Sequence, residues 1–454
     1  MTLVDSPLIS EASKGIFVSR RSPFMVLPQV VRNPLNALPE QIYRNELVYV
    51  PYPGRPRLMV MKPDLIHDAL VKNASKLDKG EEARRALGPA LGSGLLTADG
   101  AHWKWQRQSV AAGFQWEKLN SFLPAMIDAA TRRADAWQSG RVINSGQEMM
   151  RTTFDIIVET MMSGGEAIDV ARIEQSITDY LRPTSWIMAL TMIRAPLWTP
   201  YPGKSKGDAA VAYLRQEMAR IIRQRRENSV ARPDLISLLL AAQDPETGRS
   251  MNDEQVIDNL LTFITAGHET TALGLAWTLA LLARHPDCEA RVLSEIGSIA
   301  GSSPIAPEHI DRLVYTRQVF NEAMRLYPPA PMIVRSVIEP FTLGEHRLPV
   351  GLLLLFPIHA LHRHRLLWER PDDFDPDRFA PEVARQRHRF AFMPFGAGPR
   401  ICIGSAFATM EAVAILAVLL RRFRFSMVND RPPEPVMRVT LRPKEPLMLK
   451  VEAR

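Results

Sequence analysis

The sequence predicts a mostly α fold with small β-sheets. Three observations carry that expectation. One unbroken helical pattern runs from "SMNDEQ" at 250–255 to the residue before Pro286. Further helical periodicity dominates from about Asp64 to about Pro328. Strand-like runs broken by Gly and Pro are confined to the flanks, about 40–65 and 329–454. The 454 residues are 46% hydrophobic and 23% charged, a balance that allows a large core and fits one globular domain over 1–454.

Each element has a local reason. "LVYVPY" at 47–52 and "PRLMVM" at 56–61 flank "PGR", which suits a hairpin. Helices are expected at 102–115, 117–139, 147–163, 208–228 and 234–242. In the central helix Ser250 or Asn252 can cap the start, and Asp253 and Glu254 suit the first turn. At 1.5 Å per residue, about thirty residues span roughly 45 Å, so this helix crosses a whole domain and its centre must be buried. After Pro328, "IVRSVIEPFTLGEHRLPVGLLLLFP" mixes short strands with turns, and "HRHRLLWERPDDFDPDRF" is a polar, Pro-rich meander. The loop "FGAGPRICIG", Phe395 to Gly404, then opens the apolar helix "SAFATMEAVAILAVLL", and 428–454 reads as short strands.

Composition narrows the function classes. The two cysteines, Cys288 and Cys402, lie far apart, which argues against a disulfide framework and for a reducing compartment. The N-terminal residues show neither a signal-peptide pattern nor a 20-residue apolar run, so a soluble, cytoplasmic monomer is expected. The net charge is +7, yet no dense Lys/Arg block with interleaved aromatics appears, so nucleic acid is not expected as a partner. "RQRR" at 223–226 and "RRFRF" at 421–425 read as solvated helix faces. No Gly-x-Gly-x-x-Gly follows a strand, and no residues remain for a flavin domain.

The cysteine loop carries the chemistry. A helix that starts just after Cys402 aims unpaired N–H groups and a positive dipole end at the sulfur, which favours thiolate. Gly396, Gly398 and Gly404 let the backbone pass close to something flat, while Arg400 adds a cation and Phe395 an aromatic face. Those features together suit an anionic metal macrocycle, and haem on a Cys thiolate is one known solution. A small buried hydrophobe and a reactive nucleophile are the rival readings of the cysteine. The full spacing Phe-x-x-Gly-x-Arg-x-Cys-x-Gly decides between them.

Three other stretches join it. In "AGHETT", Gly267 in mid-helix makes room for a ligand, Thr270 can bond a carbonyl one turn back, and Glu269 beside it makes an acid–alcohol proton relay. Glu322 and Arg325 share a helix face at i, i+3. Trp103 and Arg107 stand one helical turn apart.

The loop resembles the haem-binding signature of the cytochrome P450 superfamily, and the matching motifs span residues about 100 to 411. The resemblance implies that haem b (iron protoporphyrin IX) lies between the central helix and the cysteine loop with its following helix. It implies Cys402 as the iron ligand, with Phe395 and Gly398 in the loop and Ala266, Gly267, Glu269 and Thr270 over the haem. Trp103, Arg107, Arg335, Arg400 and, as a further candidate, His102 would meet the propionates. Glu322, Arg325 and Arg378 would form a structural ion network. Leu95, Leu96, Phe263, Ala266, Ala330, Met332, Ile333 and Val439 would line the substrate pocket. The implied activity is insertion of one oxygen atom of O2 into a C–H or double bond of a hydrophobic small molecule, such as a fatty acid, terpenoid or steroid. Electrons would come from NAD(P)H through a reductase and a separate ferredoxin or flavodoxin, docked on a basic face that includes Arg421 and Arg422. The alternatives are a haem-thiolate peroxygenase or isomerase and a non-catalytic haem sensor.

Overall fold

The computed structural model describes residues 15–19, 23–51, 56–162, 168–227, 234–244, 247–429 and 431–454. Eight helices position the site: α1 Gly80–Leu91, α2 Gly100–Ala111, α3 Leu123–Asp135, α4 Ser145–Met161, α5 Lys204–Glu227, α6 Asp253–Leu282, α7 Val314–Leu326 and α8 Ser405–Arg422. Helix α6 is the long central element. Of its two candidate caps, Asn252 is the one used. Its side chain accepts from the Gln255 N–H at 2.9 Å, and the Gln255 side chain accepts from the Asn252 N–H at 3.0 Å. From Val256 to Leu282 every residue is buried except Phe263, Thr265, Ala266, Gly267 and Thr270. Those five are half-buried.

One expected helix is two. The run expected at 117–139 breaks at Ser121 and Phe122 into Trp116–Asn120 and α3. Pro124 is the cause: it lacks an N–H and is tolerated only in the first turn, so it starts a helix rather than continuing one. Helices α3, α4, α6 and α8 share the main apolar core, which includes Met126, Phe154, Leu275 and Ile415.

A six-stranded sheet holds a second core. Its strands are β1 Ile16–Val18, β2 Leu47–Val50, β3 Arg57–Val60, β4 Leu77–Asp78, β5 Ile333–Val337 and β6 Leu353–Phe356, in the order β1-β2-β3-β6-β5-β4. β2 and β3 pair antiparallel from Leu47↔Val60 to Val50↔Arg57, as the sequence predicts. The turn between them, 52–55, lies outside the described residues. Two pairings matter for the site. β5 carries Arg335, and β4 pairs with it at Asp78↔Ser336, which sets Lys79 beside that arginine. A two-stranded hairpin, β7 Pro435–Met437 and β8 Leu441–Pro443, closes over α6. There the Trp277 indole N–H donates to the Leu441 carbonyl at 3.2 Å. No described helix is long and apolar enough to cross a membrane.

Candidate active site

The cysteine loop is held by its backbone. The Cys402 N–H donates to the Phe395 carbonyl at 2.9 Å, and Gly396 and Gly398 take φ of 77° and 71°. A Cβ on Gly398 would stand 2.0 Å from the Leu70 carbonyl oxygen, so only glycine fits against that backbone. Cys402 is solvent-accessible yet closely surrounded by protein. Burial pushes its thiol up, against the opposing pull of the Gly404 N–H and Arg107. The Gly404 N–H pulls toward thiolate, the direction the sequence predicts, but burial outweighs it, and a bound metal cation would ionise the sulfur.

An ion network braces the loop, as the sequence predicts. Glu322 and Arg325 are fully buried. Arg325 donates to both Glu322 oxygens, at 2.6 and 2.7 Å, and to the carbonyls of His362, Pro371 and Asp373. Arg378 Nε sits 3.5 Å from Glu322. His362 carries the connection onward by accepting the Met393 N–H at 2.9 Å, and Met393 O in turn accepts from Gly396. Burial, then Arg325 and Arg363, lower the His362 pKa to about 3, so the ring stays a neutral acceptor.

Cations crowd together on the far side of the loop. The Arg400 guanidinium stacks over Trp103 at 3.9 Å and bonds the Ala98 carbonyl and Asp99, each at 2.7 Å. Arg107 lies near enough to influence both Arg400 and Cys402. Burial, then Arg400, lower the Arg335 pKa to about 10. Lys79, which the motifs did not single out, falls to about 7 through burial and then the charges of Arg335 and Arg400. Its only sequence signal is that it follows a strand that can pair beside Arg335. Asp99 and Asp78 offset part of this charge, yet burial and mutual repulsion still hold the basicity of these cations down, so the cluster would favour further anionic groups. His102 is engaged elsewhere, with Nε2 2.5 Å from the Gln106 amide nitrogen.

Helix α6 supplies the opposite wall. The Thr270 hydroxyl donates to the Ala266 carbonyl at 2.7 Å, one turn back as expected. Two expectations need correction. A Cβ on Gly267 would meet Ile157 of α4 at 2.7 Å, so this glycine serves helix packing rather than room for a ligand. Glu269 does not form a simple pair with its neighbour Thr270. Successive helical residues point about 100° apart, and the Glu269 carboxylate goes to the hairpin. It accepts from Thr440 and from Arg442 Nε at 2.9 Å, with Arg442 Nη2 at 2.7 Å.

The pocket candidates are spread around this wall. Phe263 stacks on Phe114 at 5.8 Å, and Phe114 would lie 3.7 Å from a Cβ on Gly404, so these rings sit beside the cysteine loop. Ile333 reaches the same loop near Gly396. Leu95 is buried, Leu96, Met332 and Val439 are half-buried, and Ala330 is exposed. Arg421 and Arg422 are already engaged, by the Ser303 and Gly301 carbonyls and by Asp135 at 2.6 Å, which weakens their expected part in a docking face.

A thiol that a metal would ionise, beside a cluster of buried cations, fits the iron porphyrin that the loop's resemblance implies. Fold and site together are those of a haem-thiolate oxygenase. The family model described as Cytochrome P450 matches residues 25–451, and the chain belongs to that family. It is accordingly an oxygen-incorporating oxidoreductase, a cytochrome P450 monooxygenase. The chain is 33% identical to cyclooctatin synthase of Streptomyces melanosporofaciens, over 91% of each chain. It is 34% identical to cyclooctat-9-en-7-ol 5-monooxygenase of the same organism, over 87% of this chain and 86% of that one. Among solved structures, the cytochrome P450DA heme domain superposes with a TM-score of 0.79 at 27% identity, covering 90% of each chain. Membership implies haem, O2, a hydrophobic substrate and electrons from NAD(P)H through redox partners.

Proposed function

We propose that this chain hydroxylates a compact, largely apolar polycyclic molecule of the terpenoid class, with Cys402 as the thiolate ligand of haem b. The cysteine loop, with Arg400 stacked on Trp103 and further cations beside it, is the observation that supports the haem assignment most directly. The substrate class rests on likeness, over about nine-tenths of each chain, to an enzyme whose name specifies a cyclic alkenol. Apolar candidates such as Leu95, Met332, Ile333 and Val439 agree with it.

Haem, when bound, supplies the activation of O2. The protein's residues do the rest. Arg335, Arg400, Arg107 and Lys79 would hold the propionates, and Trp103 fixes the Arg400 plane. Thr270 is a half-buried hydroxyl of α6, and it can turn from Ala266 O to orient a proton. Glu269 replenishes that proton once Arg442 and Thr440 release it. Electrons arrive from a separate ferredoxin or flavodoxin with its reductase. The unpaired Cys288 and Cys402 suit a cytoplasmic protein.

The test is turnover with a surrogate ferredoxin and reductase, offering polycyclic terpene alcohols beside fatty acids. Oxygenated polycycle is the expected product, and preferential fatty-acid hydroxylation overturns the substrate class. Absence of turnover with every partner would favour a sensor. In the same assay Thr270→Ala should consume NAD(P)H without matching product, and unchanged coupling overturns the proton role. A carbon-monoxide spectrum typical of histidine-ligated iron overturns the Cys402 assignment.

A further inference from the structure

The loop Gly92–Thr97 leaves α1 and carries two of the pocket candidates, Leu95 and Leu96. It is fixed from several directions at once. Asp258, buried in the second turn of α6, accepts from the Ser93 N–H at 2.8 Å and from Arg215 Nη1 of α5 at 2.8 Å. Its neighbour Asn259, fully buried, accepts from the Leu95 N–H at 3.0 Å. Gln106 of α2 donates to the Ser93 carbonyl at 2.8 Å, and the Thr97 hydroxyl closes the loop on the Gly92 carbonyl at 2.8 Å. Arg215 also bonds the Ala90 carbonyl, at 3.0 Å, and Glu254.

The fit is as close as backbone allows. A Cβ on Gly92 would stand 2.2 Å from either Asp258 carboxylate oxygen, and a Cβ on Gly94 would stand 2.5 Å from the Asp258 carbonyl oxygen. Gly92 also takes a φ of 47°, in the region that favours glycine. One buried carboxylate thus joins the end of α1, the loop, α5 and α6. Its bonds are charge-assisted, and removing it would strand the Ser93 N–H and take one of three partners from the Arg215 guanidinium.

We propose that Asp258, with Asn259 and Arg215, is a specificity-determining clamp that sets the Gly92–Thr97 wall of the pocket before any substrate arrives. The proposal rests on the pocket reading given above and deepens it. A wall held this way cannot move to accommodate a poor fit, so it discriminates by shape. A compact, rigid polycycle that matches the wall loses little freedom on binding. A flexible alkyl chain loses its rotors without gaining a better-fitting wall. The three residues act through the loop, so they are positioning residues rather than catalytic ones.

The test uses the haem-loaded protein, Asp258→Ala, the isosteric Asp258→Asn, and Arg215→Gln. Hydrogen–deuterium exchange of peptides covering 92–97 is read without ligand. Loss of the Ser93 bond in Asp258→Ala should speed exchange there by about tenfold or more. Arg215→Gln, which leaves the Ser93 and Leu95 bonds in place, should speed it less. Spectral titration then compares a polycyclic terpene alcohol with lauric acid, and the ratio of their dissociation constants should fall several-fold toward one in Asp258→Ala. If that variant does not fold, Asp258→Asn carries both readouts. Unchanged exchange overturns the clamp whatever the substrate is, and so does faster exchange with an unchanged ratio. A wild-type preference for lauric acid that the clamp variant loses overturns the substrate class and leaves the clamp standing.

Discussion

The Glu322–Arg325 and Glu269–Arg442 pairs both join an acid to an arginine, and they are built differently. Glu322 and Arg325 lie one turn apart on α7 with no side-chain exposure, and all five guanidinium N–H groups are used, on Glu322 and three backbone carbonyls. Glu269 and Arg442 come from a helix and a distant two-stranded hairpin. Arg442 keeps 22% side-chain exposure, and its Nη2 lies at ion-pair distance from Glu269 without hydrogen-bond geometry. The first pair has nothing to exchange for water and is scaffold. The second is the easier to open, because its cation is already partly wet. A buried charge in a saturated network stabilises one geometry, whereas one in an unsaturated network can serve a step that needs it to move.

The contrast breaks most visibly at Arg325. Arg325→Ala leaves Glu322 buried without its partner, and the expected cost is about 3–5 kcal/mol. Urea unfolding should show that loss, and little haem-loaded protein should accumulate; near-wild-type stability would refute the scaffold reading.

Acid sharpens the same side. His362 has a folded pKa of about 3, depressed from the usual 6.5. Between those values the unfolded chain takes up a proton that the folded chain refuses, so stability is full above about 6.5 and is lost as pH falls toward 3. Replacing it, His362→Gln, should flatten the slope of unfolding free energy against pH by about one proton across that window. An unaltered slope would show that the ring titrates alike in both states.

The smallest effect is expected at the openable pair. Arg442→Gln should cost about 1–3 kcal/mol, since it strands only part of the Glu269 hydrogen bonding. Its signature is in coupling and in the pH profile of turnover, because a freer Glu269 reaches its proton acceptor without first being released. A stability loss as large as that of Arg325→Ala, with coupling untouched, would make both pairs scaffold.

The same distinction separates what was legible in the sequence from what was not. The central helix, the β2–β3 hairpin, the Glu322–Arg325 pair and the cysteine loop all announce themselves through spacings of a few residues. Pro124 was equally local, and the break before α3 could have been read from it. Glu269 was found as a residue, but its partners Thr440 and Arg442 come from a hairpin that no local pattern ties to α6. Lys79 and Asp258 were invisible for the same reason: each matters through a pairing made only by the folded chain, β4 beside β5 and a glycine loop lying on α6. Gly267 misled in the opposite way. A small residue in a buried helix has two uses, and only the position of Ile157 tells which applies.

The contact between Gly398 and the Leu70 carbonyl has a consequence for how the molecule is made. The seat that receives the loop leaves the ribosome long before the loop itself. A nascent chain can therefore fold its early helices and sheet around that seat while the sulfur has still to be synthesised. The cysteine that would bind the iron thus docks onto a surface made well before it.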